Sequence, residues 1–429
     1  MRRTPSIGIA LLALISGAFG SSGAVARPDH VVLGYVPCWR DALADPADFD
    51  YDAFTHLARA FLRPRPDGTL TVAPGYFNAA FEAAAHAHGV KLLMSIGGQS
   101  ATPDVWLAMA RDPKHVATFL DTLAGLYAAH PAYDGVDVDW EPSPANDADG
   151  RTYAALLHAI RGRFPAKLLT VAIPSKDYAV AHIPIASVVA DLDLIGVMAY
   201  DYAGPWTGRA TFGANLHPDT AGPAAAAFSV DQGMANLIHH RGFPPQKLLL
   251  GMTFWGYRFR ADHLGDAFPA HAKGFADFVE YPRVMDLIDT GRFTAARDDT
   301  ADAAYLTRTG GGTVVTYDDP AAIRDKCKMA IQLGCGGVMI WHVGADLAGG
   351  QTPLLDAVDE SFGAAVPPTS AAALRAEVAR LRGKPVGDGE TTESLQAADH
   401  QLRVARAKAD DDRWIATPTQ GPATRPAKH

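Results

Sequence analysis

The sequence predicts an α/β protein: a (β/α)8 TIM barrel with a small α+β insertion between strands 7 and 8 and a low-complexity, partly helical C-terminal tail. Three observations predict it. Eight short apolar runs recur along the chain, Ala- and Leu-rich stretches free of internal proline lie between them, and unusual polar and aromatic residues gather where those runs end. Strands alternating with helices form parallel sheets, and eight of them close into a barrel whose chemistry sits at the C-terminal strand ends.

The runs are VVLGYVP (Val31–Pro37), HLARAFL (His56–Leu62), VKLLMSIGG (Val90–Gly98) and GVDVDWE (Gly135–Glu141). They continue with KLLTVAIPS (Lys167–Ser175), LDLIGVMAY (Leu192–Tyr200), KLLLGMTFW (Lys247–Trp255) and GGVMIWHVG (Gly336–Gly344). Helices are expected over Phe77 to His88, His115 to Ala129, Tyr153 to Phe164, Val230 to Arg241 and Ala321 to Leu333. From Gly256 to Cys335 the chain spends about 80 residues, far more than a crossover of a dozen or so. An insertion at about 258–315 is therefore read as a small subdomain walling one side of the barrel mouth, a long surface loop being the plainer reading.

After Gly363 the composition turns to Ala, Pro, Thr and charge. Leu374, Val378 and Leu381 give one amphipathic set, Leu395 and Leu402 another, and the last residues, TPTQGPATRPAKH, read as disordered. The expected organisation is a signal peptide at 1–26, the barrel at 27–363 and the tail at 364–429. With 48% hydrophobic and 20% charged residues the chain is ordinary globular material, and two or three small domains would also fit its length.

Arg2 and Arg3, an apolar stretch from Ile7 to Phe19 and the small-x-small Ala24-Val25-Ala26 read as a cleavable export signal cut after Ala26, so the protein is expected to be secreted or periplasmic. The stretch is too short and too rich in Gly and Ser for a membrane anchor. Its removal takes away two arginines and no acid, moving the formal charge from −9 to −11, which argues against a nucleic-acid partner. The three cysteines, Cys38, Cys327 and Cys335, are too few for a disulfide scaffold; buried free thiols are expected, a Cys327–Cys335 bridge being conceivable. The histidines are scattered, no metal cluster is expected, no cofactor is called for, and a monomer is expected.

The chemistry is expected in DGVDVDWE, Asp134 to Glu141. Side chains of a strand alternate between faces, so Asp137, Asp139 and Glu141 share one face, about 6–7 Å apart, while Val136, Val138 and Trp140 take the other. A solvent-facing antiparallel strand would show the same alternation. Acids in a row repel, however, and at the mouth of a barrel that repulsion raises one pKa and keeps a proton available for general acid catalysis.

The octet resembles the D-x-x-D-x-D-x-E signature of glycoside hydrolase family 18, the chitinases and their relatives, at Asp134, Asp137, Asp139 and Glu141. Ser95-Ile96-Gly97-Gly98 is similar to the family's S-x-G-G, which alone would read as a turn, and Met198-Ala199-Tyr200-Asp201 to its M-x-Y-D. Trp341 resembles its tryptophan at the end of the eighth strand. The likeness covers roughly residues 30–363. It implies a retaining, substrate-assisted hydrolase of β-1,4 bonds between N-acetylglucosamine units, so that an N-acetylglucosamine polysaccharide or oligosaccharide is the expected partner. Glu141 is then the general acid/base, Asp139 orients the acetamido nitrogen, Asp137 shares a proton or hydrogen bond with Asp139, and Tyr200 holds the acetamido oxygen. Trp341 stacks under the sugar, Met198, Tyr35 and Phe61 complete the floor, and Asp201 contacts the sugar or Glu141. Asp134, out of phase, fixes backbone.

Where many relatives carry Tyr-Gly-Arg after the seventh strand, this chain reads Trp255-Gly256-Tyr257-Arg258, so the arginine's role is not carried over. Trp206 and Trp39 either line the cleft or cover the barrel edge. The same machinery would serve an endo-β-N-acetylglucosaminidase acting on N-glycans or peptidoglycan. A non-catalytic chitin-binding lectin on the same barrel is the third reading, disfavoured by the presence of Glu141.

Overall fold

The computed structural model describes residues 30–43, 49–219, 228–347, 349–362 and 392–419. The expected signal peptide and the Leu374, Val378 and Leu381 set lie outside them. Eight parallel strands, Val31–Pro37, His56–Pro64, Lys91–Gly97, Gly135–Asp139, Leu168–Pro174, Leu194–Met198, Leu248–Thr253 and Gly337–Trp341, pair in chain order. The first pairs with both the second and the eighth, so the sheet closes into a barrel.

Alternation decides what each strand residue meets. In the fourth strand Val136 and Val138 pack outward into the core between barrel and helices. Trp140 follows them, stacking on Trp106 with ring centroids 4.9 Å apart. The helices Ala79–Ala87, Pro113–Ala129, Asp147–Arg163 and Pro320–Gln332 lie where apolar periodicity puts them, each started by an Asn or Asp side chain that accepts from free N–H groups of the first turn. Between the fifth and sixth strands only the short helices Asp177–Val180 and Ile185–Val189 form.

The insertion is an antiparallel five-stranded sheet that carries the helix Tyr281–Asp289. It begins earlier than expected. The seventh barrel strand ends at Thr253, and Trp255–Phe259 is the first strand of the new sheet, whose last strand ends at Tyr317. Ala276–Glu280 and Val314–Tyr317 flank Trp255–Phe259.

Residues 392–416 form one continuous helix of 25 residues, of which Leu395 and Leu402 are part. All three cysteines are buried free thiols; burial pushes Cys327 up to about 12 and Cys335 to about 11.

Candidate active site

The mouth of the barrel opens into a cleft of about 520 Å³. Asp139, Glu141, Met198, Tyr200, Asp201, Tyr35, Phe61 and Trp341 all line it, together with Trp39, Trp206, Trp255, Tyr257, Asp277 and Phe278. Asp137 lies below them, fully buried in the barrel axis.

Strand register sets the acids. Asp137 is level with Ser95 on the third strand and Thr170 on the fifth. Its Oδ2 accepts from the Ser95 hydroxyl at 2.7 Å and from the Tyr35 hydroxyl across the barrel at 3.0 Å, and its Oδ1 accepts from Thr170 at 2.6 Å. Burial raises its pKa and the three donors hold it down. Asp139 is level with Gly97, and a Cβ on Gly97 would sit 2.0 Å from the Asp139 carbonyl. At a φ of +117° that position suits glycine, which lets the Gly98 N–H donate to the same carbonyl at 2.9 Å.

The Asp139 carboxyl is 4% exposed, and its Oδ1 has no hydrogen-bond partner among the described residues. Burial first, then the charges of Glu141 and Asp137, push it well above the carboxylate range. Glu141, at the rim, is raised to about 7, by burial first and then by the charge of Asp201. Glu141 at the rim is thus poised to hold a proton at neutral pH, with Asp139, also raised, and Asp137 aligned behind it.

Asp201 sits in the left-handed region at φ 56°, its carbonyl accepting from Lys176 Nζ at 2.9 Å. Its Oδ1 accepts from the Tyr257 hydroxyl at 2.8 Å. Burial raises its pKa, while Tyr257 and Lys176 lower it. Tyr200, at the end of the sixth strand, packs edge-on to Trp255 at 5.4 Å. Trp341 stacks on Phe61 at 5.4 Å and meets Tyr35 edge-on at 5.7 Å, so three barrel strands build one aromatic floor.

Tyr35 does more than complete that floor, since its hydroxyl is a ligand of Asp137. Trp39, 58% exposed, and Trp206, 39% exposed, both line the cleft, and Trp206 stands edge-on to Tyr257 at 5.8 Å. Asp134 lies at the far end of its strand, accepting from the Leu92 N–H at 2.9 Å and Lys91 at 3.1 Å.

Sequence reasoning passed over Ser95 and Thr170 as partners of Asp137 and Trp255 and Tyr257 as cleft residues. Alternation along Trp255–Phe259 could have found the last two, because Tyr257 faces the cleft and Arg258 turns away to Asp410 at 2.9 Å. Among the described residues no group of three or more His, Cys, Asp or Glu could hold a metal ion, and no helix is long and apolar enough to cross a membrane.

Residues 31–346 match the family described as Glycosyl hydrolases family 18. Among similar proteins, Chitinase 1 of Aphanocladium album is 26% identical over 71% of this chain and 78% of its own length. Class V chitinase of Arabidopsis thaliana is 28% identical over 70% of this chain and 82% of its own. Class V chitinase of Nicotiana tobaccum superposes with a TM-score of 0.68 at 26% identity, covering 78% of this chain and 99% of that one. The Group IV chitinase of Ostrinia furnacalis, at 23% identity and a TM-score of 0.71 over 78% of this chain and all of that one, shares the fold. The chain belongs to family 18 of the glycosyl hydrolases and is a glycoside hydrolase.

Proposed function

We propose that this hydrolase cleaves β-1,4 bonds between N-acetylglucosamine units of chitin or chito-oligosaccharides, with retention and by a substrate-assisted route. The observation that carries the reading is the Asp139 carboxyl: buried, flanked by Glu141 and Asp137, with one oxygen unmatched by any donor of the described residues. An unsatisfied buried acceptor costs about 1–3 kcal/mol, and an amide N–H is the donor that an acetamido sugar brings. Support also comes from the chitinases this chain resembles and from a mutant of the Nicotiana tobaccum class V chitinase, solved in complex with NAG4.

In this reading the sugar rests on Trp341, its apolar C–H face against the indole. The Glu141 carboxyl donates its proton to the glycosidic oxygen as the C–O bond breaks. The acetamido carbonyl of the same sugar attacks the anomeric carbon, giving an oxazolinium ion, while Asp139 accepts from the acetamido N–H and offsets the developing positive charge. Asp137 supports the Asp139 charge state, and Tyr200 donates to the acetamido oxygen and aims it. A nucleophile tethered to the substrate needs no counterpart on the enzyme, only positioning. Glu141, now ionised, then takes a proton from the water that opens the ring. The Arg2-Arg3, apolar and Ala-Val-Ala sequence at the N-terminus supports action outside the cytoplasm.

The test pairs chitotetraose with an analogue deacetylated at the sugar that donates the bond. The β anomer should appear first by NMR, and the deacetylated analogue should not turn over. Initial α product, or equal rates on both substrates, would overturn the route.

A further inference from the structure

The helix Thr392–Ala416 lines no part of the cleft, yet it is bound to the back of a strand that does. Leu395, Asp399, Arg403, Ala407, Asp411 and Trp414 recur every three to four residues and form its covered face. Half of these are charged, and Arg403 and Asp411 meet partners on the insertion. Arg403 pairs with Asp286 at 2.5 Å and with Asp399 at 2.8 Å. Asp411, wholly buried, accepts from Arg292 and Arg308, both at 3.1 Å. Asp410 accepts from Arg258 at 2.9 Å, and the Arg258 guanidinium lies 4.2 Å over the Trp414 ring, with that of Arg260 at 4.9 Å.

Removing one member of a buried charge pair leaves its partner uncompensated, so the complete set disfavours registers of the helix other than this one. That register is passed to the cleft through a single strand. Arg258 is on the outer face of Trp255–Phe259, and its neighbour Tyr257 on the inner face reaches Asp201, whose charge raises Glu141. Consecutive residues of a strand point oppositely and share their backbone, so a shift of the strand at Arg258 also shifts Tyr257 on the other face.

We infer that helix Thr392–Ala416 is a positioning element of the active cleft, holding Tyr257 against Asp201 through its grip on Arg258. The inference rests on the hydrolase function proposed above. Misplacing a group by about 1 Å costs up to about 10²-fold in rate, which is the scale on which a loosened strand acts.

The test uses the full chain carrying Asp410→Ala or Trp414→Leu, with Gln401→Ala, on the exposed side of the helix, as control. Hydrogen exchange of strand Trp255–Phe259 should quicken in both variants and not in the control. Their kcat/KM on chitotetraose should fall about tenfold or more, the alkaline limb of its pH profile should move to lower pH, and Asp410→Ala should add little in a Tyr257→Phe background. A lowered Tm with exchange, kcat/KM and pH profile unchanged would make the helix a thermal brace and overturn the inference. If the wild type fails to hydrolyse chitotetraose, the proposed substrate falls, and strand exchange alone still decides this point. Should one variant fail to fold, the other carries the comparison.

Discussion

The Tyr257 hydroxyl donates to Asp201 Oδ1 across 2.8 Å, joining the first strand of the insertion to the end of the sixth barrel strand. This bond holds the Asp201 pKa down against burial, and the Asp201 charge in turn raises Glu141. Tyr257→Phe therefore lets Asp201 take up a proton more readily and removes part of the field that keeps Glu141 protonated. The alkaline limb of kcat/KM should shift to lower pH. A hydrogen bond to a charged group contributes about 1.5–3 kcal/mol, so a fall of about ten- to 10²-fold is expected at pH 7. Steady-state rates on chitotetraose from pH 4 to 9 check both.

Asp137 accepts from three buried hydroxyls, those of Tyr35, Ser95 and Thr170. Asp137→Ala leaves all three without their acceptor and should lower stability by about 2 kcal/mol or more. Asp137→Asn keeps one oxygen, and a hydroxyl can rotate to accept from the new NH2 group, so its cost should stay within about 1 kcal/mol. Urea midpoints separate the two variants, and both should lose activity because Asp139 loses its acidic neighbour.

Asp346, after the eighth strand, accepts from the Leu354 and Leu355 N–H groups at 3.0 and 2.9 Å and so caps helix Pro353–Ser361, while burial pushes its pKa to about 7. A carboxyl raised in the folded chain gives stability that is full below its unfolded pKa, near 4, and is lost as pH climbs through 7. The neighbouring Asp359, raised to about 8 by burial and then by the charge of Asp50, acts in the same direction. Tm should fall between pH 5 and 8. Asp346→Asn, which keeps the capping oxygen, should flatten that fall, by about 2–4 kcal/mol at pH 8. Thermal melts across the pH range decide it.

Much of the barrel was legible because its strands are buried on both faces and read as unbroken apolar runs: seven of the eight lie within two residues of the expected limits, and the eighth, expected to run to Gly344, ends at Trp341. The row Asp137, Asp139 and Glu141 was legible because a period of two admits only one face. The seventh strand was misread at its end. The apolar run continues through Phe254 and Trp255 although the chain leaves the barrel there, and continuous hydrophobicity carries no mark of a change of sheet. The C-terminal helix escaped as one element because its covered face contains Asp399, Arg403 and Asp411, so hydrophobic periodicity recovers only fragments. Tyr35 looked like floor because a tyrosine at a strand end shows its ring in the sequence and not the direction of its hydroxyl.

The central claim is that Glu141 is the proton donor, and the hydrolysis rate of Glu141→Gln on chitotetraose, with binding followed in the same preparation, tests it most directly. The amide is nearly the shape of the acid and removes only the proton. A loss of about 10²–10⁴-fold or more in kcat, with affinity for the sugar retained, is the predicted result. Hydrolysis within a few-fold of wild type would contradict it.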